Sequence, residues 1–170
     1  MQNLTLDKKI DLLVIESGEP SLTLFGELDD SGCRYVQERF NFINVSGVII
    51  NADIKKISKD CWELSGNLFA EVTQVCVVTG QPVQEKLDII LEERYVLPKN
   101  RDEYNREIDV NSVNVEVLET NILEVGELIA QIIGVEADSF PKQKNTPGSQ
   151  IFGNEDRNEH PFAKLASLKK

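Results

Sequence analysis

A chain of 170 residues, 41% hydrophobic and 28% charged, is long enough to bury one core and too apolar to be a disordered polyelectrolyte. Its formal charge of −11 argues against a broad phosphate-gripping surface, because nucleic acid is repelled wherever no local basic patch forms. Such acidity suits plain solubility or a basic partner.

Taken in chain order, the short apolar run of residues 10–15 is followed by Ser17-Gly18-Glu19-Pro20, a turn composition. Leu22, Leu24 and Gly26 then alternate with Thr23 and Phe25, and the two runs predict a hairpin. Asp29, Asp30 and Ser31 offer N-cap oxygens to a short helix over residues 31–40, with Cys33, Val36 and Phe40 on its apolar side. In that place Cys33 reads as a small core residue. Val48, Ile50, Ala52 and Ile54 mark a strand.

The longest signal follows. Trp62, Leu64, Gly66, Leu68, Ala70, Val72, Cys76 and Val78 take every second place, interrupted at Gln74, while Glu63, Ser65, Asn67, Glu71 and Thr73 fall between them. Period two over such a stretch means one face buried and one wet. After Thr79-Gly80-Gln81-Pro82 the pattern resumes, with Val83, Leu87, Ile89, Leu91, Tyr95 and Leu97 opposed by Gln84, Lys86, Asp88, Glu92 and Arg94. Two long strands around a four-residue turn predict an antiparallel hairpin, twisted or bulged near Gly66.

Residues 98–107 form a charged loop carrying Lys99, Arg101 and Arg106. Val113, Val115 and Val117 suggest one more strand. Thr120 or Asn121 can cap a helix whose stripe is Val125, Leu128, Ile129, Ile132 and Ile133, closed at Gly134. After Ala137 the composition turns polar and Pro/Gly-rich, as in a linker. The last ten residues then place Phe162, Leu165 and Leu168 at every third position behind Pro161. The expected architecture is α+β: one domain over residues 1–137 with a bent, mainly antiparallel sheet around the long hairpin and two short helices. A flexible tail, residues 138–170, completes it. Whether the sheet closes into a barrel is left open by the pattern. From Glu136 onward six bases meet five acids, so the tail carries +1 and the preceding body −12.

Chemistry is sparse. The one histidine, His160, lies in the tail, where it has no nucleophile to serve. Gly126 and Gly134 match no phosphate-binding fingerprint. Cys33, Cys61 and Cys76 are widely spaced and odd in number, which suits a reducing compartment better than disulfides and gives no metal-ligand pair. No apolar run approaches a membrane span, and residues 1–7 lack the order of a signal peptide, so a cytoplasmic protein is expected. Neither an enzyme nor a bound cofactor is expected. Trp62 falls on the apolar face of its strand and reads as core. Phe69 falls on the polar face, with Val75 and Val77 farther along. They form either an exposed partner patch or the floor of a second layer.

Three segments together resemble the YceD family, the large-ribosomal-RNA accumulation family. They are Val75-Cys76-Val77-Val78-Thr79-Gly80-Gln81-Pro82-Val83; residues 123–133 with Gly126-Glu127-Leu128-Ile129-Ala130-Gln131; and Pro161-Phe162-Ala163-Lys164-Leu165-Ala166-Ser167-Leu168-Lys169. The likeness spans most of the chain and is thinnest over its first 30 or so residues. It implies a bacterial, non-enzymatic factor in large-subunit biogenesis, supporting accumulation or processing of 23S ribosomal RNA. Many relatives carry a Cys-x-x-Cys pair at the hairpin; here Cys76 and Thr79 occupy those places, so no metal is expected.

Two mechanisms follow from that resemblance. In one, the chain binds pre-ribosomal RNA or a ribonucleoprotein intermediate through Thr79, Gly80 and Pro82 of the turn, the loop with Arg101 and Arg106, and the tail. In the other it is an acidic adaptor for a basic ribosomal protein, with Phe162, Leu165 and Leu168 as a docking peptide. The same three side chains can instead pack back on their own domain. No membrane and no small-molecule substrate is expected in either.

Overall fold

The computed structural model describes residues 3–15, 21–97 and 115–143. Where alternation is strict, strands form and pair. β3 (Leu22–Leu28), β4 (Asn44–Ser58), β5 (Cys61–Val75) and β6 (Pro82–Val96) make an antiparallel meander. Short strands β1 (Asn3–Leu4) and β7 (Val115–Val117) extend it in parallel at its two edges, giving the order β1-β3-β4-β5-β6-β7. The fold is α+β with an open, mainly antiparallel sheet and no closed barrel. The expected hairpin of β5 and β6 is present in unbroken register from Cys61↔Val96 to Val75↔Pro82.

Among the described residues the α-helices are α1 (Asp30–Phe40) and α2 (Val125–Glu136). α1 starts where Asp29 Oδ1 accepts from the Gly32 N–H (2.7 Å) and the Ser31 hydroxyl (2.8 Å). It stops at Asn41, whose φ of 56° lies in the left-handed region. One apolar cluster fills the space beneath the sheet. Leu24, Ile50, Ile54, Leu64, Leu68, Leu91 and Tyr95 from the strands meet Val36 of α1 and Val125, Ile129 and Ile133 of α2. Trp62 is fully buried, as its strand position requires.

Four local expectations are corrected. Residues 10–15 do not pair with β3; β2 (Lys9–Asp11) instead forms a two-stranded ribbon with β8 (Ile122–Glu124), which buries Ile10 and Leu123 together. Thr120 and Asn121 do not cap a helix. The Asn121 side chain donates to Asp11 Oδ1 (2.6 Å), the Asn121 backbone carbonyl accepts from the Leu12 N–H, and α2 begins only after β8. Gly134 lies inside α2, where a Cβ would come within 2.2 Å of the Phe40 ring, so it is a contact point between helices. The register shifts fall between Ser46 and Ile49 and between Lys56 and Ser58, not at Gly66. Gly66 keeps its pairing with Ala52 and Leu91 but adopts φ +158°, with Asn51 O and Ala52 crowding the place of a side chain.

Candidate partner-binding surfaces

The tip of the long hairpin is a folded turn. β5 ends at Val75, so Cys76 and Val78 leave the strand: Cys76 turns inward and is buried, whereas Val78 is half exposed, contrary to its expected place on the inner face. The Gly80 N–H donates to Cys76 O (2.9 Å), Cys76 N to Gln81 O (2.8 Å), and Gln81 N to the Thr79 hydroxyl oxygen (3.3 Å). Gly80 adopts φ +71°, a conformation that suits glycine. The Thr79 N–H points at the Cys76 sulfur at 3.4 Å. Hydrogen bonding from the Thr79 side chain, helped by the backbone N–H groups of Gln143, Thr79 and Val78, holds the thiol down to about 6, against the opposing effect of burial. Among the described residues no group of three or more His, Cys, Asp or Glu side chains gathers as a metal site, and all three cysteines are free.

The chain returns to this tip after α2. Val77 N donates to Pro141 O (2.9 Å), Asp138 N to Glu85 Oε2 (3.1 Å), and Gln143 Nε2 to Pro82 O (3.4 Å). Residues 138–143, expected as the start of the tail, therefore lie along the hairpin. Between them and β6 runs an open groove of about 700 Å³ lined by Gln74, Gln84, Glu85, Lys86 and Lys142, with Pro82 at one end. Gln74 spans it, donating to Glu85 (3.3 Å) and to Asp138 O (3.1 Å). Val75, Val77 and Val78 project from the tip at 47–53% exposure, and Phe140 stands beside them at 70%. Three valines at a turn tied by several hydrogen bonds, with Phe140 on the segment bonded to it, make a preorganised contact point.

A second surface lies on the side of the sheet away from the helices. Register places Glu27, Ile49, Phe69 and Asp88 in one row, Phe25, Asn51, Asn67 and Ile90 in the next, and Thr23, Asp53, Ser65 and Glu92 in a third. Ile49 and Phe69 are direct neighbours, with Phe25 and Ile90 one step away diagonally, so four apolar groups form a stripe across four strands. Phe25 and Phe69 are each 44% exposed and Ile90 is 73% exposed. No described element covers Phe69, so the alternative of a second layer over it is not seen among the described residues.

Of the residues expected to bind a partner, Thr79, Gly80 and Pro82 meet at the hairpin tip. Arg101, Arg106, Phe162, Leu165 and Leu168 lie outside the described residues. Phe25, Ile49, Ile90 and Phe140 were not singled out from the sequence. Ile90 carried a signal, an apolar side chain between Asp88 and Glu92 on a wet face. Its partnership with Phe25, 65 positions away, depended on the register of three strand pairs. No helix among the described residues is long and apolar enough to cross a membrane. No family model matches the chain, and neither a curated protein nor a solved structure matches it.

Proposed function

We propose that this protein is a non-enzymatic factor in large ribosomal subunit biogenesis, supporting 23S ribosomal RNA accumulation or processing by binding a pre-ribosomal ribonucleoprotein. The resemblance of its three segments supplies the process. The observation that supports a binding role is the hairpin tip, where a turn closed around Cys76 leaves Val75, Val77 and Val78 exposed and the returning segment, bonded to it through Pro141, leaves Phe140 exposed as well. Such a tip suits insertion into an apolar recess, with polar contacts left to the neighbouring groove.

The acidity of the body favours the adaptor reading, in which the contact is with a basic ribosomal protein, over direct contact with RNA. Tagged full-length chain drawn from ribosome-assembling cells, with and without nuclease, tests both. Recovery of large-subunit precursors, lost at least tenfold on replacing Val77 and Val78 by Asp, is the expected result. A basic protein that stays bound after nuclease treatment identifies the adaptor, whereas nuclease-sensitive recovery with RNA retarded at low salt identifies direct RNA contact. No ribosomal component above background, or RNA turnover by the purified chain, overturns the proposal.

A further inference from the structure

The outward stripe of Phe25, Ile49, Phe69 and Ile90 is ringed by acids. Glu27 and Asp88 flank Ile49 and Phe69 in their row, and Asp53 and Glu92 lie two strand positions beyond Asn51 and Ile90 of the next. Glu27, Asp88 and Glu92 make no ion pair among the described residues, whereas Glu71 and Glu63 on the same face are paired to Lys86 and Arg94. An occupant must therefore bring apolar side chains and positive charge together. Two such faces pressed together would set acid against acid, and a phosphate backbone would be repelled.

The chain itself contains a segment of that chemistry. Residues 161–170 carry Phe162, Leu165 and Leu168 together with Lys164, Lys169 and Lys170, and no acid. Length permits it to reach. The last described residue, Gln143, is bonded to Pro82 at the hairpin tip, and Phe69 is six positions from Val75 along β5, roughly 20 Å at the strand rise. The 17 residues from 144 to 160 are enough chain to cover that separation, since a random coil of the same length has an end-to-end distance of roughly 20–25 Å. Tethering at the matching length gives an effective concentration on the order of millimolar, so a weak contact through a few anchors suffices. We propose that residues 161–170 dock on the outward face of their own sheet, with Phe162, Leu165 and Leu168 over the stripe and the lysines over its acidic rim.

The test uses the full chain at low micromolar concentration with the photoreactive amino acid benzoylphenylalanine in place of Ile90, whose 73% exposure makes it a tolerant site. Irradiation is expected to yield a product of single-chain mass whose new bond lies within residues 161–170. Its yield should fall at least fivefold with Leu165→Asp and also fall as salt is raised, while the thermal transition of the domain stays cooperative. A yield indifferent to Leu165→Asp, or the lack of any bond to residues 161–170, overturns the proposal. A product of twice the chain mass also overturns it, and assigns the face to a second copy.

Discussion

Gly66 leaves no room for a side chain between its strand and the next, and one substitution measures that. An alanine Cβ there would lie 2.2 Å from Asn51 O and 2.5 Å from the Ala52 Cα, both backbone atoms of the paired strand, and φ is +158°. Overpacking of this kind costs about 1–3 kcal/mol. The unfavourable backbone region adds about 1–3 kcal/mol. Loss of unfolded-state freedom returns about 0.4–1 kcal/mol. With each contribution at its mid-range, the net expectation for Gly66→Ala is a loss of about 3 kcal/mol. Gly47 is the control: its φ is +59°, but nothing lies within 4 Å of an added Cβ. Gly47→Ala should therefore cost only the left-handed conformation, about 1 kcal/mol after the same entropic return. With a urea dependence of about 2 kcal/mol per molar, the midpoints should drop by about 1–2 M and about 0.5 M respectively. Equilibrium unfolding followed by far-UV circular dichroism reads both. A Gly66→Ala midpoint equal to or above that of Gly47→Ala would refute the claim that backbone crowding across β4 and β5 sets the cost.

Other expectations concern the hairpin tip and the helices. Because the folded chain holds the Cys76 thiol at about 6 against an ordinary 9.0, its contribution is full above pH 9 and is lost as pH falls toward 6. Wild type should therefore gain stability over Cys76→Ala between pH 6 and pH 9 in paired denaturation curves, and a constant difference would contradict the hydrogen bonding drawn around the sulfur. Glu127 of α2 accepts from Arg39 of α1 at 2.6 Å, and that contact, aided by Gln131, holds its carboxyl below 4.5. The stabilisation is complete above the ordinary carboxylate range and is lost as pH falls through the lowered folded value. Glu127→Gln should flatten the acid side of the stability profile, less so in high salt. Ile129, fully buried on α2, should cost about 2–5 kcal/mol as Ile129→Ala. Val135, 79% exposed on the same helix, should change stability by less than about 0.5 kcal/mol as Val135→Ala, so similar losses at the two sites would mean that α2 is rotated from its described packing.

Much of the central architecture was legible because it is local and periodic. Strict alternation over residues 62–72 can bury one face only as a strand, and the turn residues 79–82 leave the two strands little choice but to pair. The N-cap at Asp29 and the spacing of Val36 and Phe40 placed α1 within a residue of its observed start. The second helix was misplaced at its beginning because Asn121, a good cap by type, gains more by bonding to Asp11, 110 positions earlier. The first apolar run was misassigned for the same reason, since Ile10 pairs with Leu123 and not with its sequence neighbour. The tip residues Thr79, Gly80 and Pro82 were found from turn composition and the burial of Cys76 from its alternation, while the hydrogen bonding around its sulfur was not, because that depends on the folded turn and on the return of Gln143 to the hairpin.

Composition and period by themselves determined an α+β chain with a long hairpin, an apolar inner face and an acidic body, since these depend on side-chain type at short range. Tertiary structure alone decided the edges, the β2–β8 ribbon, the packing of α2 through Gly134 onto Phe40, and the stripe that joins Phe25 to Ile90. Each of those joins residues far apart in sequence, and the choice among such pairings depends on how much apolar area the whole chain can bury at once, a quantity no local window contains.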